Sequence, residues 1–130
     1  NTKSGVWDGI GYRNGAYASS AKPFYGTDAA CWCTGAIAIN PSDVIYVKGT
    51  TLEGSGHERL GAFAASSGGC YWCKAYTALS GMATVTKLGD KYYKIVLDPS
   101  NANYSGIGYI MFSAQGTGDG VVVTKNEEIT

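Results

Sequence analysis

At 130 residues, 45% hydrophobic and only 15% charged, the chain has the length and composition of one folded domain, which excludes a disordered segment and a second core of any size. Ten Lys and Arg balance ten Asp and Glu, and Arg13 and Arg59 are the only arginines, so there is no basic footprint for a nucleic-acid partner. No apolar run approaches the roughly 20 residues of a membrane helix, and the start lacks the basic, apolar and small-residue order of a signal peptide, so neither a membrane span nor an export leader is expected.

The 19 glycines and 10 tyrosines suit short strands joined by tight turns, because glycine takes positive φ without steric cost and tyrosine fits a half-buried pleated face. Residues 4–25 are rich in Gly and aromatics with no helical period, and Asp8-Gly9 and Asn14-Gly15 read as turns between short strands. In residues 34–49, Ile37 and Ile39 alternate with small residues, Asn40-Pro41-Ser42-Asp43 is turn chemistry, and Val44-Ile45-Tyr46-Val47-Lys48 is a β-branched run. This is a strand, a turn and a strand. A polar connection follows, then Gly61-Ala62-Phe63-Ala64-Ala65, a loop at 66–69 and Cys70-Tyr71-Trp72-Cys73, which together fit a hairpin.

Residues 83–88 and 92–97 around Gly89-Asp90-Lys91 form the clearest hairpin in the chain. Residues 98–103 make a loop, and Tyr109-Ile110-Met111-Phe112-Ser113 is a strand buried on both faces. Gly116-Thr117-Gly118-Asp119-Gly120 lacks the Lys-Ser/Thr ending and the helix of a phosphate loop and reads as a hairpin turn before the last strand, Val121-Val122-Val123-Thr124. No segment requires a helix. Short strands at this regular spacing predict an all-β fold, an antiparallel β-sandwich of jelly-roll type, forming one domain over residues 1–130.

Four stretches, GYRNGAYASS, CTGAIAINPSDVIYVKG, GAFAASSGG and GIGYIMFSAQGTGDGVVVTKNEEI, together resemble a domain common at the C-termini of tail, baseplate and minor structural proteins of phages and prophages. Residues 34–49 match its "tGyIpV-kpGDvIyvkg" hairpin, residues 61–69 its "aFYdssgnfi" strand and turn, and residues 108–129 its "yIrfS…vivtvNEEI" ending. The resemblance implies a lectin-like β-sandwich on the virion surface or otherwise extracellular, the C-terminal module of a longer protein, in keeping with a first residue, Asn1, that is not Met. It carries no catalytic signature. The four cysteines, Ala38 and Ala64 depart from the pattern, so a role for the cysteines follows from spacing alone.

Cys31-Trp32-Cys33 and Cys70-Tyr71-Trp72-Cys73 are two close pairs in a small domain. On a strand, Cys31 and Cys33 face the same way, so each bonds more naturally to Cys70 or Cys73 on a neighbouring strand than to the other. Two disulfides suit an extracellular domain, a tetrahedral zinc site of four thiolates is the competing reading, and free buried thiols are the third. A redox role for CysTyrTrpCys lacks its βαβ context.

Rings that lie in loops or at strand ends stack on sugars, and Trp7, Trp32, Tyr71, Trp72 and Tyr104 are the strongest candidates for such a ligand-binding patch, although any one ring alone is more readily core or sheet packing. His57 is the only histidine and reads as a solvated loop residue, since no nucleophile signature accompanies it. Glu53 and Glu58 share one polar loop, a poor arrangement for the opposed acids of a glycosidase. Asp98, Ser100, Asn101 and Asn103 have an oxygen-rich spacing compatible with calcium, but turn formation accounts for them. No cofactor is required. These features favour a non-catalytic module that recognises a bacterial cell-surface glycan, its weak sites multiplied by copy number. The alternative is a structural module of a virion or extracellular filament whose partners are other copies of itself or other tail proteins.

Overall fold

The computed structural model describes residues 11–64, 69–98 and 106–130, so the Asp8-Gly9 turn and the residues of the 98–103 loop after Asp98 lie outside the described residues. Among the described residues ten strands follow in chain order: β1 (Tyr12–Ala18), β2 (Tyr25–Thr34), β3 (Ile37–Ala38), β4 (Val44–Lys48), β5 (Arg59–Ala64), β6 (Cys70–Ala75), β7 (Ala83–Gly89), β8 (Tyr92–Leu97), β9 (Ile107–Gln115) and β10 (Val122–Lys125). Among the described residues the only helical piece is a single 3-10 turn at Tyr76–Ala78, and none is long and apolar enough to cross a membrane. One sheet has the order β1-β2-β9-β5-β6 with β3 also on β9; the other has the order β10-β4-β8-β7. All pairings are antiparallel, and the two sheets pack into the all-β sandwich that the strand spacing predicts.

Two of the expected hairpins form, β5 with β6 and β7 with β8. Two others do not. Residues 34–49 split between sheets: β3 pairs with β9, whereas β4 pairs with β8 and β10, so the Asn40 turn carries the chain across the sandwich. Gly116-Thr117-Gly118-Asp119-Gly120 likewise connects β9 in one sheet to β10 in the other and is a crossover. Local turn chemistry reports a reversal of direction and does not report which sheet receives the next strand. Asn14-Gly15 is also no turn. Gly15, at φ 77°, lies inside β1 opposite a bulge in β2: Asn14 is opposite Trp32 but Ala16 is opposite Thr27, so β2 has residues 28–31 where β1 has only Gly15.

That bulge has a structural consequence. The ribbon made by the end of β1 and the start of β2 folds over the outer face of its own sheet, where Ala16, Ala18, Cys33, Phe63 and Met111 form a second buried cluster. Strand β9 is therefore covered on both sides. Ile110, Phe112 and Ala114 point into the main core between the sheets with Trp32, Leu60, Ile45, Ile95 and Val123, while Met111 points into the second cluster. Each fully buried large side chain here contributes about 1.5–3 kcal/mol relative to exposure. Two buried hydroxyls are paired: Ser113 accepts the Ala18 and Arg59 N–H groups and donates to the His57 carbonyl, and Thr34 Oγ1 accepts the Phe112 N–H beside the break between β2 and β3.

Candidate functional site

The aromatic residues expected to form a patch are not brought together. Trp7 and Tyr104 lie outside the described residues. Trp32 is 1% exposed and packs edge-on against Phe112, with its Nε1–H donated to Thr50 Oγ1 at 3.2 Å. Trp72, at 8%, belongs to the same core. Both are corrected from ligand platform to core, because each ring lies on the side of its strand that meets the opposite sheet. Tyr71 alone of the described candidates is exposed, at 42%.

The cysteines are free thiols, and the cross-strand disulfides are not formed. The sheet order is the reason. Strands β9 and β5 lie between β2 and β6, and three inter-strand steps span about 14 Å along the sheet, against the 7 Å limit for two bridged Cα atoms. Nor do the four thiols converge as zinc ligands; among the described residues no group of His, Cys, Asp and Glu has the arrangement of a metal site. Cys33, Cys70 and Cys73 lie at the second cluster, where burial raises the Cys33 thiol to about 12 and that of Cys73 to about 11. Cys31 is elsewhere, its Sγ 3.6 Å from Asp28 Oδ2 and 3.9 Å from Glu58 Oε2, with burial pushing it up to about 11.

His57 keeps 37% of its side chain exposed but is also held by neighbours. Its ring lies flat on Tyr17 with centroids 3.6 Å apart, and Nδ1 is 2.6 Å from Asp28 Oδ2. Glu58 turns inward to 7% exposure, accepting from Gln115 Nε2 at 3.0 Å, and Gly54 is the residue whose missing side chain admits it. Glu53, five residues earlier, faces outward instead and accepts from Tyr93 Oη at 2.5 Å with Lys87 Nζ at 3.6 Å. The loop at residues 50–58 is thus pinned at one end by the His57 and Glu58 contacts and open to solvent around Glu53.

Glu53 borders two hollows. The first, about 480 Å³, is polar: Thr50, Thr51 and Glu53 come from one loop, Gln115, Thr117 and Asp119 from the β9–β10 crossover, and Lys91 from the β7–β8 turn. The second, about 360 Å³, adds Leu52, Tyr76, Val85, Lys87 and Tyr93. Both volumes lie in the ~300–1,000 Å³ range of small-molecule sites. Asp119 is held in place by Tyr12 Oη at 2.5 Å and Asn14 Nδ2 at 3.3 Å, and the half-exposed Tyr12 ring packs edge-on against Trp32. Gly118 makes this contact feasible, since a Cβ there would meet Tyr12 at 2.5 Å and Trp32 at 2.8 Å. The hydrogen bond from Tyr12 holds Asp119 below the usual carboxylate range, and that from Tyr93, aided by Lys87, does the same for Glu53.

The sequence offered one signal for this groove, a polar loop and a Gly-Asp-rich crossover, but not their juxtaposition. Comparison with protein-family models, curated proteins and solved structures found no match to this chain. The resemblance to phage tail domains therefore rests on the motifs quoted above.

Proposed function

We propose that this domain is a non-catalytic glycan-recognition module, displayed on a virion surface or otherwise outside the cell as part of a phage tail or baseplate protein. The observation that carries the reading is the open polar hollow, where three threonine hydroxyls, an amide, an ammonium and two carboxylates surround one space. Such a set of donors and acceptors suits a ligand rich in hydroxyl groups, and Tyr12 adds a partly exposed ring at its edge. Binding is favoured over hydrolysis by the state of the acids: Glu53 and Asp119 are both held below the usual carboxylate range, whereas a glycosidase needs one carboxyl raised to serve as general acid. The motif resemblance supplies the viral context.

The test is calorimetric titration of the domain with a panel of bacterial wall polysaccharides. Saturable binding that Asp119→Ala and Lys91→Ala each weaken by at least about tenfold, both variants still unfolding cooperatively and Lys91→Ala at an unchanged melting temperature, is the expected result. Absence of binding to every polysaccharide, or binding indifferent to both substitutions, overturns the proposal. Trp72→Ala is not a useful probe, because it opens the core.

A further inference from the structure

The two hollows meet at Glu53 and differ in character. One is bordered by hydroxyl, amide and charged groups; the other has Leu52, Val85 and the Tyr76 and Tyr93 rings as walls, with Thr77 and Lys87 as its polar groups. A ligand that fills both is hydroxyl-rich at one end and carries a small apolar group near a hydrogen-bonding function at the other. An acylamino substituent has that make-up: its N–H needs an acceptor, its carbonyl needs a donor, and its methyl needs an apolar wall.

Glu53 is placed to be the acceptor. The Tyr93 hydroxyl and Lys87 both approach Oε2, and among the described residues no hydrogen bond is made to Oε1. A carboxylate with one oxygen occupied keeps the other free to accept, and the Tyr93 bond fixes its orientation. Lys87 or Thr77 then serves as donor to the carbonyl, beside the Val85 and Leu52 side chains. We propose that the ligand is an oligosaccharide containing an N-acylated amino sugar, laid across Glu53 with its acyl group against Leu52, Val85 and Tyr93. This rests on the glycan-binding reading and names the class of sugar that the reading leaves open.

The probes are the β-1,4-linked tetramers of N-acetylglucosamine and of glucose, which differ only in the acetamido groups. Both are titrated calorimetrically into the domain and into Val85→Glu, a change on the half-buried outer part of β7. The acetylated tetramer binds the unmodified domain at least about tenfold more tightly than the glucose tetramer, the scale on which a pocket discriminates one small group. Val85→Glu brings that ratio to within about twofold. Equal affinity for the two tetramers, or a ratio that survives Val85→Glu, overturns this inference and leaves glycan binding in place. If neither tetramer binds while wall polysaccharides do, the sugar class is wrong but the reading stands; if neither tetramers nor polysaccharides bind, both fall.

Discussion

At the scale of single residues, the acidic side chains do most of the pinning. Asp28 is held below the usual carboxylate range first by the hydrogen bond from His57 and then by the Ala30 N–H. Burial pushes Asp43 upward, but hydrogen bonds from Asn126 and Asn40 outweigh it and leave that group lowered too, as are Glu53 and Asp119. A carboxylate with a depressed folded pKa stabilises the fold fully above its unfolded value, near 4, and loses that contribution as pH falls through the folded value. The share of acid sensitivity owed to these four groups is therefore expected to set in below about pH 4. Urea midpoints measured between neutral pH and about pH 2 check this: Asp28→Asn is expected to lower the midpoint at neutral pH and flatten its decline in acid. An unchanged slope would show that the His57 contact contributes nothing.

At the scale of elements, two of the motifs that carry the family resemblance touch each other. Asp43 opens β4 and Asn126 closes β10; Asn126 Nδ2 donates to Asp43 Oδ1 at 3.0 Å, and its Oδ1 accepts the Val44 N–H at 2.8 Å. Asn126 also has φ 63°, a left-handed conformation that Asn tolerates better than most residues. Asn126→Ala loses both bonds and adds backbone strain, and is expected to cost about 1–3 kcal/mol by denaturant unfolding. Asn126→Gly relieves only the strain and should recover part of the loss; equal losses would assign the effect to the hydrogen bonds alone. Most elements were legible in the sequence because β4, β8, β9 and β10 are β-branched runs bounded by turn residues. The early strands were harder to read. The start of β2, Tyr25-Gly26-Thr27-Asp28-Ala29-Ala30, has no period-two pattern, because it belongs to a ribbon that leaves the sheet and exposes both its faces in turn.

At the scale of the molecule, the misread residues share one cause. Cys31, Trp32 and Cys33 are consecutive and all buried, which alternation alone forbids for a sheet with one wet face. Trp32 enters the main core, Cys33 is covered by the β1–β2 ribbon, and Cys31 by the loop carrying Glu58. The cover comes from segments whose position depends on tertiary packing, so no local pattern announces it. The groove was hidden for the same reason, since its two loops are joined only by the sheet order. The thiols give a direct check. Cys31 and Cys33 should resist a thiol reagent in the folded protein, while the half-buried Cys70 and Cys73 react slowly, because burial raises their thiols too. All four should react in denaturant without reductant. A count below four would indicate bridging that the strand order argues against.

Strand β9 also governs the order of assembly. Among the described residues it is the ninth strand in chain order, yet β2, β3 and β5 all take their places against it. In the other sheet only β7 and β8 close over a short turn, and β4 likewise waits for partners far along the chain, β8 and then β10. A topology so rich in remote pairings belongs with the slow, millisecond-to-second folders, and the late strand is the step on which the nascent chain waits.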